Sequence, residues 1–119
     1  HRAIYETVRR ANAAAEAILK PGVPLCEVDK AARQIIEDAG YGPNFTHRLG
    51  HFIGLEVHEY GDVSSANTKV AEVGNIFSIE PGIYVEGEVG VRIEDLVLIT
   101  EDGCEILNSF SKELDIVEE

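Results

Sequence analysis

The segment that decides the fold is Thr46-His47-Arg48-Leu49-Gly50-His51-Phe52-Ile53-Gly54-Leu55-Glu56-Val57-His58-Glu59. Three of the four histidines of the chain lie within it. Apolar residues recur at helical spacing before this segment, whereas glycine and β-branched residues become frequent from about Gly42 onward. The change of period from helical to alternating indicates two helices followed by strands.

Two helices are predicted upstream of the histidines. Apolar residues keep one face of a helix over residues 3–19, and Lys20-Pro21-Gly22 ends it. Pro24 suits the start of a second helix because its missing N–H would be unpaired there anyway. That helix is expected to reach about Ala39, with Gly40 as its C-terminal cap. The short connection predicts that the two helices pack antiparallel.

The strands are predicted by β-rich runs between turn residues. Glu101-Asp102-Gly103 favours a hairpin turn, residues 60–73 the longest loop, and residues 108–119 a polar surface ending. The predicted strands cover residues 75–80, 83–85, 91–99 and 104–107. Two helices followed by antiparallel strands predict a single α+β domain over residues 1–119.

The bulk composition limits the partners. The net charge of −12 argues against nucleic acid, whose phosphates need a basic face, and against an anionic membrane surface. No run reaches the roughly 20 apolar residues that span a bilayer. Cys26 and Cys104 form no C-x-x-C pattern, so we expect two free thiols and a cytoplasmic protein, with a disulfide between them as the alternative.

The histidine segment offers groups that bind metal or substrate. Gly50 and Gly54 argue against a helix, and in an extended segment His47 and His51 share a face. Small glycines beside imidazoles leave room for a metal, a substrate or a close backbone. Hydrogen-bonded core histidines, or surface histidines, are the alternative for each ring.

Two glutamates at strand positions are the second set of candidates. Glu80 ends an apolar strand, and a buried lone carboxylate costs several kcal/mol unless a cation, a partner or a proton compensates it. Glu94 lies within a nearly continuous apolar strand, two residues after Arg92. The alternatives are an exposed strand end for Glu80 and an Arg92–Glu94 ion pair for the second strand.

These candidates combine into one metal site. His51, Glu80 and Glu94 on neighbouring segments suit a divalent ion, because carboxylates favour manganese and imidazole also accepts cobalt, iron or zinc. Arg92 would orient Glu94 or a substrate carboxylate, since its guanidinium binds carboxylates through two parallel contacts. Three protein ligands make one open metal site.

Residues 47–59, 79–84 and 90–95, in that order, resemble the proline-specific branch of the pita-bread metallopeptidases. That branch contains prolidase (Xaa-Pro dipeptidase) and aminopeptidase P. The resemblance covers nearly the whole chain and implies a partial pita-bread fold. It implies metal-dependent hydrolysis of the peptide bond preceding proline in a proline-containing peptide substrate.

The resemblance also implies metal-ligand roles. His51, Glu80 and Glu94 match three of five family ligands, with Glu94 bridging two ions and Glu80 also handling the proton of the attacking water. The two remaining ligands are aspartates of an upstream part that this chain, beginning at His1, is expected to lack together with an N-terminal domain. The intact enzyme would hold two divalent ions (Mn, Co, Fe or Zn), and this fragment one weakly or none.

Substrate roles follow from the same resemblance. His58 matches a catalytic histidine that stabilises the tetrahedral intermediate or shuttles protons. His47 matches a histidine of the substrate pocket with a catalytic role, and Arg92 an arginine near substrate. Gly61-Asp62 replaces a Pro-Arg pair of some relatives, which leaves that substrate contact unassigned.

Three other readings of the resemblance stay open. They are a non-catalytic pita-bread binding module, a methionine aminopeptidase and a creatinase relative. The module and creatinase are not expected to hold the full ligand set, and the Glu-Pro-Gly and Val-Arg-Ile-Glu-Asp runs argue against methionine aminopeptidase. We expect the fragment to be inactive by itself and to self-associate through an exposed sheet edge, and the intact enzyme to be a homodimer.

Overall fold

The computed structural model of the chain describes residues 2–53, 62–87 and 89–115, with side chains described as far as residue 111. It confirms an α+β architecture of two helices followed by antiparallel strands. A single 3₁₀ turn at Gly42–Asn44 follows the helices. The elements in chain order are α1 (Arg2–Ile18), α2 (Leu25–Asp38), β1 (Gly50–His51), β2 (Asp62–Val63), β3 (Ile76–Ile79), β4 (Gly82–Val85), β5 (Val89–Ile99) and β6 (Cys104–Asp115).

Both helices form where the apolar period predicts them, and each buries one stripe. Gly40 follows α2 with φ +91°, a backbone conformation that favours glycine, so the chain turns there toward the histidine segment. Helices α1 and α2 pack on each other, and α1 also packs on β5. The buried helical residues include Val8, Ala11 and Ala15 of α1 and Leu25, Val28, Ala32 and Ile36 of α2.

Strand β5 is the centre of the main sheet. Strands β3 and β4 pair antiparallel with successive parts of one edge of β5, and β6 pairs antiparallel with its other edge. The predicted alternation along β5 is confirmed, since its odd-numbered residues from Val91 to Ile99 are buried and its even-numbered residues from Arg92 to Leu98 are half-buried. Strands β1 and β2 form a separate antiparallel pair.

The prediction of a polar surface ending at residues 108–119 is wrong for 108–115. Strand β6 continues to Asp115, in register with β5 as far as Val89 and with one irregularity at Leu96/Val97. The eleven residues of β5 offer a full row of backbone groups, and pairing them outweighs the polar composition of β6. The predicted loop over 60–73 is likewise interrupted by β2, within the part of that range that the structure describes.

No helix in the described ranges is both long and apolar enough to cross a bilayer. The two cysteines are free thiols, as predicted. Burial, followed by the nearby carboxyls of Glu16 and Asp95, raises the pKa of the Cys104 thiol.

Glu16 of α1 forms a carboxyl pair with Asp95 of β5 beneath the helix. Burial, followed by a hydrogen bond and charge repulsion from Asp95, raises the pKa of Glu16 from 4.5 to about 9. One Glu16 oxygen is buried without a hydrogen-bond partner, which only a neutral carboxyl tolerates at low cost. Ser109 Oγ donates to Asp95 Oδ1 at 2.5 Å. The pair is therefore stabilised by a proton held on Glu16.

This proton makes stability depend on pH. Between pH 4.5 and about 9 the folded chain keeps a proton that the unfolded chain has lost, so stability falls as pH rises through that window. Because Glu16 is partly exposed, solvent screens the effect. We expect the free energy of unfolding to fall by about 1 kcal/mol across the window, which lowers the melting temperature by about 4 °C. Thermal melts at the two ends of the window should show this decline in the wild type and a flatter profile in Glu16→Gln. The exposed Glu101→Gln is the matched control, and an equal decline in Glu16→Gln would contradict the assignment.

Candidate functional site

A cavity of about 620 Å³ opens between the histidine segment and the sheet. Strand β1 supplies His51, the connection between β3 and β4 supplies Glu80, and β5 supplies Arg92. The complete lining is His47, Arg48, His51, Asp62, Glu80, Tyr84 and Arg92. Four of the residues predicted from the sequence therefore share one cavity.

His51 and Glu80 are in direct contact within this cavity. His51 Nδ1 lies 3.4 Å from Glu80 Oε2 and 2.9 Å from Ser78 Oγ, and the His51 backbone N–H donates to the same hydroxyl oxygen. With its proton on Nδ1, the ring donates to the nearer Ser78 Oγ, which leaves the lone pair on Nε2 and leaves Glu80 Oε2 without a hydrogen bond. This arrangement matches the usual orientation of a metal-binding histidine, whose other ring nitrogen is held by a neighbouring polar group.

The contact depends on a close approach of two backbones at Gly50. A Cβ built on Gly50 would lie 1.8 Å from the carbonyl oxygen of Ser78, so no side chain fits there. The Glu80 N–H donates to the carbonyl of Leu49 at 2.7 Å and fixes the two segments side by side. The sequence left three roles open for the space beside Gly50: a metal, a substrate or a closely packed backbone. The structure shows the third, because the backbone of Ser78 packs against Gly50.

The sheet register brings Glu80 to the level of Glu94. The pairings Ile79–Asp95 and Gly82–Arg92 belong to one unshifted antiparallel register, so the intervening Glu80 falls opposite Glu94. Residues opposite each other on antiparallel strands have Cβ atoms about 5 Å apart when both are in regular strand geometry. The register therefore puts Glu80, in the connection between β3 and β4, at the same level of the sheet as Glu94.

The side chain of Glu94 lines a neighbouring cavity of about 210 Å³ instead of the main one. Arg92 borders both cavities. Within the described ranges, no three His, Cys, Asp or Glu side chains are gathered closely enough to hold one ion. The predicted alternative, an ion pair between Arg92 and Glu94, is likewise absent from the part of the chain described, so Arg92 remains available to the cavity.

His47 is held by contacts on several sides. Its Nδ1 lies 2.7 Å from the carbonyl oxygen of Arg48, so Nδ1 carries the proton and Nε2 the lone pair. Its ring packs edge to face on Phe45 and on Tyr84, with centroids 4.9 and 5.9 Å away. Nε2 is buried without a hydrogen-bond partner, 3.2 Å from the position that a Cβ on Gly82 would occupy. Glycine at this position keeps the space beside this buried acceptor nitrogen free of a side chain.

Three lining residues were not predicted as functional. Tyr84 and Arg48 gave no pattern that distinguished them from ordinary strand and loop residues, and Asp62 was noted only as a departure from relatives. Tyr84 could have been found by alternation, because it shares a strand face with Gly82. The predicted catalytic residue His58 lies outside the described residues.

The chemistry of the donor groups suits a divalent metal, although among the described residues their side chains are not gathered around one point. Glu80 Oε2 is buried and accepts no hydrogen bond in the described structure, although a buried carboxylate oxygen needs a cation or a donor. His51 Nε2 is an open imidazole donor, and Glu94 stands at the level of Glu80. One imidazole and two carboxylates are a ligand set that manganese, iron, cobalt and zinc all accept.

The model of metallopeptidase family M24 matches residues 1–101 of the chain. An uncharacterized peptidase of Staphylococcus haemolyticus is 55% identical over 109 residues, which cover 92% of this chain and 31% of the relative. An uncharacterized peptidase of Staphylococcus aureus is 51% identical with the same coverage. The chain thus spans about a third of the length of the curated relatives it matches.

Solved structures give the same fold. Prolidase from Pyrococcus furiosus superposes with a TM-score of 0.84 at 48% identity, covering 89% of this chain and 32% of that one. The X-Pro aminopeptidase of Thermotoga maritima gives 0.83 at 44% identity, covering 89% and 30%. The Xaa-Pro dipeptidase of Bacillus anthracis gives 0.85 at 39% identity, covering 98% and 33%. The predicted partial pita-bread fold is confirmed by these likenesses.

Proposed function

The chain belongs to metallopeptidase family M24, and from that membership we propose that it is the C-terminal part of a catalytic domain that hydrolyses the peptide bond preceding proline. The similar solved structures include a prolidase, an X-Pro aminopeptidase and an Xaa-Pro dipeptidase. The match to about a third of each relative supports a longer parent protein. The parent would carry the two remaining metal ligands and an N-terminal domain.

The observation that carries this proposal is the buried carboxylate of Glu80. Its Oε2 faces His51 without accepting a hydrogen bond, at the edge of a cavity large enough for a dipeptide. A structural carboxylate would be expected to have a donor in that position. A binding module without catalysis gives no reason to keep such a group beside an open imidazole.

We propose that His51, Glu80 and Glu94 hold divalent metal, with two ions in the intact enzyme and manganese, cobalt, iron or zinc as candidates. When bound, such an ion supplies a nucleophile at neutral pH by lowering the pKa of a water molecule to about 7. The isolated chain lacks two of the family's five ligands under this proposal. We therefore expect it to bind one ion weakly or none, and to be inactive.

The residues of this chain supply the remaining steps. Glu80 accepts the proton of the attacking water and passes it toward the leaving amine, since its carboxylate borders the cavity and has a free oxygen. His47 contacts the substrate through its unpartnered Nε2, which accepts a hydrogen bond from a peptide N–H or a protonated amine. His58 would stabilise the developing oxyanion or shuttle its proton.

Partners and location follow as further parts of the proposal. The substrate is a peptide with proline after the scissile bond, and the intact enzyme is a homodimer in the cytoplasm. The isolated chain would self-associate, because β6 leaves Ile106, Leu107 and Phe110 about half exposed beside an edge that no described strand covers.

Arg92 gives the proposal a specific test. Its guanidinium lines the main cavity and is free of any ion pair with Glu94 among the described residues, so it can bind the terminal carboxylate of an Xaa-Pro dipeptide. A hydrogen bond to a charged group contributes about 1.5–3 kcal/mol, so Arg92→Met should raise KM for the dipeptide by about 10- to 100-fold in the parent enzyme. Steady-state kinetics measures this change.

The C-terminal amide of the same dipeptide is the matched control. It lacks the carboxylate, so wild type and Arg92→Met should hydrolyse it with similar KM values. An equal penalty on acid and amide would remove Arg92 from carboxylate recognition. A parent enzyme that leaves both peptides uncleaved, with metal present, would overturn the proposed function itself.

A further inference from the structure

Two residues of α2, Asp29 and Arg33, contact the histidine segment through a network that the proposed chemistry does not use. Asp29 is fully buried, and its side chain forms an ion pair with the half-buried Arg33. Arg33 Nε donates to Asp29 Oδ1 at 2.9 Å and Nη2 donates to Asp29 Oδ2 at 3.2 Å. This is the two-point contact that only a guanidinium makes with a carboxylate.

The same guanidinium also binds two backbone carbonyls, one just before the histidine segment and one within it. Nη1 donates to the carbonyl of Phe45 at 3.1 Å, and Nη2 donates to the carbonyl of His47 at 3.0 Å. The guanidinium carbon lies 4.1 Å from the centroid of the Phe45 ring, and that ring packs against the imidazole of His47. Arg33 therefore fixes both the backbone of His47 and the ring against which its imidazole rests.

Asp29 connects the same network to Glu80, one of the proposed metal ligands. Its Oδ2 accepts a hydrogen bond from the Leu49 N–H at 3.2 Å, a donor that it shares with the carbonyl of Val63. The Leu49 carbonyl in turn accepts the Glu80 N–H. One buried ion pair thus connects α2 to His47 on one side and, through the backbone of the single residue Leu49, to Glu80 on the other.

We propose that Asp29 and Arg33 are positioning residues of the active site, which hold the imidazole of His47 with Nε2 unprotonated and facing the cavity. The role of His47 in this inference rests on the proposed function. The inference adds that this role also depends on Asp29 and Arg33, which lie far from the substrate. A side chain that only stabilised α2 would need no contacts with the carbonyls of Phe45 and His47. The planar fork of Arg33 meets three acceptor groups at once, and a lysine ammonium reaches no such set.

The test is the tautomer of His47 in the 119-residue chain, read from the nitrogen shifts of its ring in ¹⁵N-labelled protein above the ordinary histidine pKa of about 6.5. The wild type is expected to show one form, with the proton on Nδ1. Arg33→Lys keeps the charge but loses the fork, and should give a mixture of both tautomers. Arg9→Lys is the matched control, because Arg9 makes an exposed pair with Glu6 on α1 and should leave the ring unchanged.

A second control separates positioning from stability. Ile36→Val removes one methylene from a fully buried residue of α2 and lowers stability without removing any hydrogen bond to the histidine segment. It should leave a single His47 tautomer. Circular dichroism would show whether Arg33→Lys folds. If it does not, Asp29→Glu replaces it, because this variant keeps the charge and displaces the guanidinium of Arg33. The same mixture of His47 tautomers is expected.

A single unchanged tautomer in the folded Arg33→Lys or Asp29→Glu chain would overturn the positioning role. So would a mixture that appears equally in Ile36→Val, since general loosening would then be the cause. The measurement involves neither metal nor substrate. Its failure therefore leaves the peptidase assignment standing, and an inactive parent enzyme leaves the tautomer result unaffected.

Discussion

Replacing Glu80 by glutamine in the proposed parent peptidase is expected to lower kcat by about a thousandfold or more. The carboxylate is proposed to act both as a metal ligand and as the acceptor of the water proton, and a general base alone contributes about 10²- to 10⁴-fold. The amide has nearly the same size, but it neither accepts a proton nor carries the charge. Hydrolysis of an Xaa-Pro dipeptide, measured at saturating metal, gives the value.

The nearby Glu86→Gln is the matched control, because Glu86 is exposed in the turn after β4 and lines neither cavity. It should keep wild-type kcat. Activity of Glu80→Gln within tenfold of wild type would remove Glu80 from the chemistry. Since the buried Oε2 has no donor, the amide should also leave the fold intact, and an unchanged melting temperature would exclude unfolding as the cause of lost activity.

Replacing Gly50 by alanine is expected to cause the largest loss of stability of any single methyl addition considered. The new Cβ would lie 1.8 Å from the Ser78 carbonyl oxygen, and this obstacle is backbone that no rotamer change relieves. Strand β1 would have to move away from β3 and break the Leu49–Glu80 hydrogen bond. Overpacking of this kind costs about 3 kcal/mol, or roughly 12 °C in melting temperature for a chain of this size.

Gly103→Ala is the control for the chemical change alone. A Cβ there meets only the Leu19 carbonyl, at an ordinary contact distance of 3.7 Å, and the residue does not need a positive φ. Its melting temperature should stay within about 2 °C of wild type. Equal stability of Gly50→Ala and Gly103→Ala would contradict the close packing of β1 on β3.

The fold was predictable where one local signal decided each element. The helical period and the residues Pro21, Gly22 and Gly40 define two helices within a residue or two of those observed. Strand β6 was predicted too short, because its polar residues resemble a surface tail. The partner that keeps residues 108–115 in a strand is the distant β5, and register with a distant strand leaves no mark in local composition.

The sequence predicted most of the chemically reactive residues of the site, but not the contacts that hold them in place. His47, His51, Glu80 and Arg92 share the main cavity, as grouped from sequence, whereas the assignment of Glu94 to the same ion remains a prediction. The Ser78 contact to His51 needed the approach of two backbones that are 27 residues apart.

Asp29 and Arg33 were missed because opposite charges four residues apart on a helix are the pattern of an exposed pair. A usable signal did exist in the apolar stripe of α2. Asp29 lies four residues after Leu25 and three before Ala32, within the buried face of the helix. An acidic residue in such a stripe indicates a buried partner.

We propose that His51, Glu80 and Glu94 bind a shared divalent ion in the parent protein. The most direct measurement is the position of zinc in crystals of the parent protein, located by anomalous diffraction. We expect a zinc peak within about 2.2 Å of an imidazole nitrogen of His51 and of carboxylate oxygens of both Glu80 and Glu94. A zinc peak bound elsewhere, or one that His51 and Glu80 share without Glu94, would contradict it.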